Sequence, residues 1–535
     1  MTAFSCGPRF SVNKNNMPSF SYSFVSALIV AFAIGTSSSA QQFSLSKSEV
    51  IFSAIKGHAS KPDSIQLIPL KGTGNIGPFK ISGEQAAYFK IISYPKKLTA
   101  NKPENLVIVF EPAATFTGIA RATATFKSVK INLTGLSTKA LEGENEAPLS
   151  QITDAMGYKI NVGWQTLANH LRPELQGDEL ASSLFTKAKA GKVEMVPVAR
   201  YSPDFPLNFG YYKVFDGHPI QKQIAILAKA DKFPEHQTLF PGLAGGQTIF
   251  DPGNEVFGLY AISPSHTAYS EDIWNILFYP THAAHAIRIY PVVSREGVKQ
   301  ENTYLVCMEE AANGDYNDYV FLLKNVKPVL MQEKFETLFN GKNFNGWYTW
   351  LQTKGRNVDP EKIFITEPDG SLHILGKELG YLMSDKSYGN FHFVVEYKWG
   401  EKRWPPREAS KRDSGICYNI PDDEPDHIWP TSVECQVQEG DTGDFWLLGN
   451  STIQVNGKQN IPLNYSQIVK MKDAEKPKGE WNTVEVISFN GKCVHVVNDV
   501  VVNYGENASL VGGRILLQSE YAEVFYRNIK IRELP

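Results

Sequence analysis

Between residues 432 and 446 the chain reads SVECQVQEGDTGDFW, which places Glu434, Gln436 and Gln438 at every second position and then adds Glu439, Asp441 and Trp446. In an extended strand, side chains two apart share a face. Glu434, Gln436 and Gln438 therefore project together, while Val433, Cys435 and Val437 turn the other way into a core. A single carboxyl among neutral amides is a candidate general base with hydrogen-bonding groups beside it. Just upstream, RWPPREASKRDSGICY offers Arg407, Lys411 and Arg412 to stabilise negative charge, with Asp413 at the start of a strand. Gly415 follows, where the missing side chain permits a close approach or a bulge. His427, in PDDEPDHIWP, titrates near neutrality and is a candidate acid or proton shuttle. Trp404, Trp429 and Trp446 lie in or beside loops, where a flat indole can stack on a ring. The same alternation puts Arg514, Leu516 and Gln518 of RILLQSE on one side of a strand. It also groups His392, Val394, Glu396 and Lys398 of FHFVVEYKW. Each feature has a plainer reading beside the chemical one: a solvated sheet face, a solvated basic loop, a lone loop histidine.

The elements needed to hold these residues are strands. From residue 331 to 535 the chain runs through SLHILG, FHFVVEYKW, SGICYNI, SVECQVQ, WNTVEVISFNGKCVHVVNDVVVNY, RILLQSE and EVFYRNIKIRE, with hardly a helical period among them. Two stacked antiparallel sheets in a jelly roll are the expected outcome. Residues 43–137 show EVIFSA, SIQLIPL, AAYFKIIS, NLVIVFEP, ARATATF and VKINLTGL, short strands between turns that predict a small sandwich. NLVIVFEP, Gly118 and VKINLTGL together resemble immunoglobulin-like repeats, which serve mostly as spacers or adhesive units. Residues 138–158, with the acidic ALEGENEAPLS, read as a linker. Residues 159–330 form a second β-rich sandwich ending in CMEEAANGDYNDYVFLL. There Asp315, Asn317 and Asp318 crowd a turn before the strand 319–323, and such oxygen ligands suit a hard cation such as Ca2+, although the EF-hand spacing is absent and a plain Asx turn explains them too. His282 and His285 fall in HAAHAIRIY, read as a strand that turns them to opposite faces.

The bulk properties limit the choices. The 535 residues carry a net charge of −3 and no basic block, which argues against nucleic acid as a partner. Arg9 and Lys14 precede an apolar run at 24–34 and a small-residue tail, so residues 1–40 read as a cleaved secretory signal. That run is too short to span a bilayer, no transmembrane segment follows, and a secreted or periplasmic protein is expected. After the signal, Cys307, Cys417, Cys435 and Cys493 remain, too scattered for a disulfide framework or a zinc site, although Cys417 and Cys435 could face each other on neighbouring strands.

In order along the chain, LFNGKNFNGW, PDGSLHI, LMSDKSYGNFHFVVEYKW, RDSGICY, VECQVQEGD, GEWNTVEVISFNGKCVHVVND and GGRILLQSEYAEVFYRNIKIREL resemble the 3-keto-disaccharide hydrolase domain family over about 335–534. The resemblance implies a concanavalin-like jelly roll acting on carbohydrate, cleaving glycosidic bonds of sugars oxidised to a ketone at C3. Jelly-roll glucanases set two catalytic carboxyls on one strand as Glu-x-Asp-x-Glu, whereas this chain has Glu434-x-Gln436-x-Gln438. An amide is neither nucleophile nor acid, so a conventional mechanism would need its second carboxyl at Asp413, Glu439, Asp441 or Glu396. A 3-keto sugar asks for less: one base for the C2 proton, a group to stabilise the enolate, and a proton for the leaving group. Glu434 is the base in this reading. A divalent cation is an alternative enolate stabiliser, with Glu434, Asp413, Glu439 or Asp441 as ligands. Two functional classes stay open: an exported glycoside-cleaving enzyme, and a non-catalytic carbohydrate-binding protein whose N-terminal modules contact a cell surface or matrix.

Overall fold

The computed structural model describes residues 43–70, 74–139, 146–163, 174–229, 237–310, 313–330 and 334–535. The expected secretory signal lies outside them. The chain is mainly β and multidomain. No helix among the described residues is long and apolar enough to cross a membrane.

Residues 43–138 make two four-stranded sheets around one apolar core that includes Phe52, Ile65, Leu106, Phe110 and Ile131. The last strand, Val129–Thr138, pairs antiparallel with Gly118–Phe126 and parallel with Glu49–Ile55. The described end of the segment read as a linker is packed. Helix α1, Leu149–Ala155, buries Leu149, Ile152 and Ala155 in a cluster with Leu136, Tyr201 and Val320. Apolar residues three apart form one stripe of a helix, and burying each large one contributes roughly 1.5–3 kcal/mol, enough to outweigh the acidic, Pro-containing flank.

The middle module stacks a seven-stranded sheet on a six-stranded one, with Phe209, Leu259, Val306 and Phe321 between them. Its helix α2, Asp272–Phe278, presents Trp274, Ile276 and Leu277 to Ile487, Phe489, Val494 and Val496 of the C-terminal domain. The segment holding His282 and His285 is a loop rather than a strand, since the ladder begins at Ile287. His282 stacks on His266, while His285 is clasped by Asp272 and Glu179.

The C-terminal domain consists of two eight-stranded sheets enclosing Phe393, Val395, Ile416, Tyr418, Val433, Cys435, Val437 and Leu517. One sheet turns its outer face to α2. The other contains β1 (Trp347–Leu351), β2 (Gly380–Ser384), β3 (Asp413–Ile420), β4 (Ser432–Gln438), β5 (Phe445–Leu448), β6 (Tyr465–Ile468) and β7 (Arg514–Ser519). Their spatial order is β1-β2-β7-β3-β4-β5-β6. All four described cysteines are free and buried. Cys435 lies opposite Ile416 and Cys417 opposite Glu434, so the two thiols point to opposite faces of the sheet and form no bridge.

Candidate functional site

The alternation of β4 sends Val433, Cys435 and Val437 into the inter-sheet core and Glu434, Gln436 and Gln438 to the other face, as the pattern predicts. Register then assembles a row across that face. Glu434 lies opposite Cys417 on β3 and Trp446 on β5. The row continues through Leu516 and Met383 to Tyr348, and on the other side from Trp446 to Gln467. A carboxyl thus sits midway between an indole and an aliphatic-aromatic stretch. The face is more enclosed than an open groove floor: Glu434 is 5% exposed and Gln436 6%.

Gly415 explains how so many polar side chains converge. A Cβ placed there would lie 1.9 Å from Glu434 Oε1 and 2.5 Å from Gln518 Oε1. The glycine is therefore a notch into which both side chains lean, a close approach that no larger residue allows. Gln518 Nε2 donates to Cys417 Sγ at 3.3 Å, and Gln438 Nε2 donates to Asp413 Oδ2 at 2.6 Å. Arg407 forms ion pairs with both Asp413 and Glu520.

Two carboxyls, Asp413 and Glu520, thus share one guanidinium, and the buried Glu434 lies close enough to feel the charge of both. Burial, then the charges of Glu520 and Asp413, push the Glu434 carboxyl well above the usual carboxylate range. Burial and Glu520 raise Asp413 to about 8, against the opposing pull of Arg407 and Gln438. Glu520 is raised by its own burial, with Arg407 opposing. Carboxyls that hold protons near neutrality suit acid and base work. Among the described residues, three polar atoms here are buried without a hydrogen-bond partner: Asp413 Oδ1, Gln518 Oε1 and Trp446 Nε1. Buried donors and acceptors left without partners along one face of this sheet are groups that a ligand hydroxyl can satisfy.

Other expected site residues are used differently. Lys411 bonds Asp441 at 2.5 Å. Arg412 donates to the Gly400 and Glu401 carbonyls and pairs with Glu439 at 3.2 Å. Glu439 and Asp441 thus answer side-chain cations where the sequence reading had them as ligands of a metal, and Lys411 and Arg412 are not anion binders at the carboxyl trio. His427 is half-exposed and bonds Glu424 at 2.9 Å, which holds it in its own loop and away from the acid's role. Glu396 stands on the opposite sheet, bound to Arg527 and Asn528, and so is no second carboxyl for Glu434. His392 shares that sheet and bonds Glu485 at 2.5 Å. Trp446 lies inside β5, not in a loop. Trp404 donates its indole N–H to the Leu375 carbonyl at 2.9 Å, and its backbone bonds Tyr521, next to Glu520. In the middle module Glu309, Asp315 and Asp318 bring carboxylate oxygens within 4.8 Å of one another, and Asn317 lies between the two aspartates in the chain.

The sequence reading missed Glu520, although the signal was available: it follows Gln518 by two in RILLQSE. It also missed the far end of the row, where the Tyr348 and Tyr381 hydroxyls donate to Asp426 at 2.7 and 2.9 Å. Arg514 Nη1 donates to the Tyr348 hydroxyl at 3.1 Å. Asp426 is the immediate neighbour of His427, and only the path of the loop decides which of the two turns inward. A cavity of about 940 Å3 elsewhere, lined by Asp272, His285, Lys334 and Arg532, separates the middle module from the C-terminal domain and does not include the carboxyl trio.

Comparison with known proteins places this site in context. Residues 334–532 match the family model described as a 3-keto-alpha-glucoside-1,2-lyase-like domain. A curated 3-keto-disaccharide hydrolase of Bacteroides thetaiotaomicron is 27% identical over 237 residues, covering 42% of this chain and 76% of that protein. A crystal structure of a putative glycosyl hydrolase from Parabacteroides distasonis aligns over 39% of this chain and 99% of its own, with 22% identity and a TM-score of 0.28. A Bacillus licheniformis β-glucanase aligns over 37% and 97%, with 13% identity and a TM-score of 0.24. The C-terminal third of the chain thus matches the 3-keto-alpha-glucoside-1,2-lyase-like domain family over residues 334–532.

Proposed function

We propose that this protein is an exported enzyme that cleaves the glycosidic bonds of 3-keto-glycosides or 3-keto-disaccharides by elimination followed by addition of water. The observation that carries this reading is the buried Glu434 beside Asp413 and Glu520, the last two held by Arg407, with unpartnered polar groups on Gln518 and Trp446 of the same sheet. A conventional glycosidase needs two carboxyls spaced across the scissile bond, and β4 carries amides where the second would stand.

A ketone at C3 acidifies the C2 proton, so Glu434, once it has given up its own proton, removes it and leaves an enolate. A carboxyl whose pKa is raised by burial is a stronger base than a solvated one. As the C3 carbonyl re-forms, a C1–C2 double bond forms and the C1–oxygen bond breaks. The departing oxygen takes a proton from Asp413, which burial and Glu520 keep protonated near neutrality. Water then adds its oxygen to C1 while Glu434 returns a proton to C2 and Asp413 recovers one from the water. The sum is hydrolysis, with both carboxyls restored. Arg407 holds Asp413 and Glu520 in place, and the Trp446 N–H and Gln518 carbonyl are the donor and acceptor offered to substrate oxygens.

The test is product analysis on a 3-keto-glucoside and its unoxidised parent, in D2O, with and without chelator. Release of aglycone from the keto substrate alone, with deuterium at C2 of the product, is expected. Equal cleavage of the parent sugar, or cleavage without C2 exchange, refutes the elimination route. Tight binding of plain glycans with no turnover would make the protein a carbohydrate binder.

A further inference from the structure

The middle module holds a second constellation of acids, remote from the carboxyl trio of the C-terminal domain. Ligand oxygens of Glu309, Asp315 and Asp318 all lie within 4.8 Å of one another. Glu309 is fully buried, and its Oε2 accepts the Gly314 and Tyr316 backbone N–H groups at 3.1 and 3.3 Å. Asp318 accepts the Glu310 N–H, and Asn313 donates to Asp315 Oδ2 at 2.9 Å. Glu146 adds a fourth carboxyl, hydrogen-bonded to Asp315. Like charges gathered out of water repel strongly unless a cation answers them.

Independent of the acids, two polar groups have nothing to bind. Asn317 is 1% exposed and its Oδ1 has no partner among the described residues, although its Nδ2 donates to the Ala147 carbonyl at 2.9 Å. That contact and the Asn317 backbone N–H to the Asp315 carboxyl hold the residue between Asp315 and residue 147, with a buried, unpartnered oxygen in the same turn as the acids. The Tyr201 hydroxyl is likewise buried without a partner, beside the charge of Glu146. The Tyr201 backbone N–H bonds the Asp318 carbonyl at 3.1 Å, which seats this ring next to the same turn.

We infer that Glu309, Asp315 and Asp318, with the side-chain oxygen of Asn317, bind a calcium ion that ties Glu309 and residues 313–318 to the segment leading into α1. The donor set is all oxygen, which suits a hard cation and not zinc or copper. Calcium–oxygen distances of about 2.3–2.6 Å put opposite ligands up to roughly 5 Å apart, a span that holds these oxygens, and calcium accepts the irregular geometry of such a turn where magnesium demands a near-ideal octahedron. Because α1 and residues 146–147 connect the N-terminal sandwich to the middle module, the ion acts as a clasp between them.

Terbium is the probe, since Tyr201 and Tyr316 stand beside the site to sensitise its luminescence. In the full chain, tyrosine-excited terbium emission should be displaced by Ca2+ at concentrations at least tenfold below those of Mg2+. Added Ca2+ should raise the melting temperature and chelator should reverse the rise. The Asp315→Asn/Asp318→Asn variant should melt no lower than metal-free wild type, because repulsion is relieved, and should lose both responses. If that variant does not fold, Asn317→Ala must still weaken terbium binding at least tenfold. Absence of sensitised emission and of a Ca2+-dependent melting shift in the wild type, or their survival in a folded variant, overturns the assignment.

Discussion

Replacing Glu434 by Gln separates chemistry from packing more sharply than any other change at the site. The amide keeps the shape of the carboxyl that leans over Gly415, so no cavity opens and no new overlap arises. What vanishes is an ionisable group held against burial and against the charges of Glu520 and Asp413. A buried polar group lacking full compensation costs about 1–3 kcal/mol, and an uncharged amide escapes the part due to ionisation. For a domain of this size each kcal/mol moves the melting temperature by about 2–4 °C, so the variant should melt a few degrees higher at neutral pH. Loss of a positioned general base lowers the rate by about 10^2–10^4-fold. Deuterium exchange at C2 should fall by the same factor, with little change in binding of a non-reactive glycoside. Differential scanning calorimetry paired with turnover on a 3-keto-glucoside reads both effects. Activity within tenfold of wild type would remove Glu434 as the base. A melting temperature several degrees lower would mean that the carboxylate is a satisfied structural anion, and the reasoning about its burial would fail.

Gly415→Ala should cost about 1–3 kcal/mol of stability or less, since the groups it meets are flexible side-chain ends, yet it should abolish most turnover by displacing Glu434 and Gln518; unchanged kinetics would show that the notch is irrelevant. Asp413 binds its proton more tightly folded than unfolded, with a folded value of about 8, so its contribution is fully present below about pH 4 and is lost as pH rises through about 8. Asp413→Asn should therefore flatten the melting-temperature profile between pH 5 and 8, and an unaltered slope would refute this. Burial works to lower the pKa of His285, but Asp272 and Glu179 outweigh it and hold the imidazolium up to about 10. That stabilisation is fully present below about pH 6.5 and is lost as pH rises toward and through about 10, so His285→Gln should reduce stability at pH 6 more than at pH 10. An equal loss at both pH values would show that its role is steric.

Alternation along the strands was enough to read the β architecture, the inward set Val433, Cys435 and Val437, and the shared face of Glu434, Gln436 and Gln438, because a period of two is a local property of extended backbone. Glu520 was legible by the same rule beside Gln518. What local pattern could not supply was the partner of each charge. Arg407, Lys411 and Arg412 stand within six residues of one another, yet only Arg407 reaches Asp413 and Glu520, while Lys411 and Arg412 are taken by Asp441 and Glu439. Which of Asp426 and His427 turns inward was equally invisible, since a loop's course is set by what it packs against. The helix in the segment 138–158 was hidden for a related reason: its stripe is short, and its stability comes from Leu136, Tyr201 and Val320, residues distant in the chain. The sequence by itself determined which side chains stand together on a strand. Tertiary structure alone decided which strands became neighbours, and through that register the burial and mutual repulsion that turn Asp413, Glu434 and Glu520 into proton-holding groups.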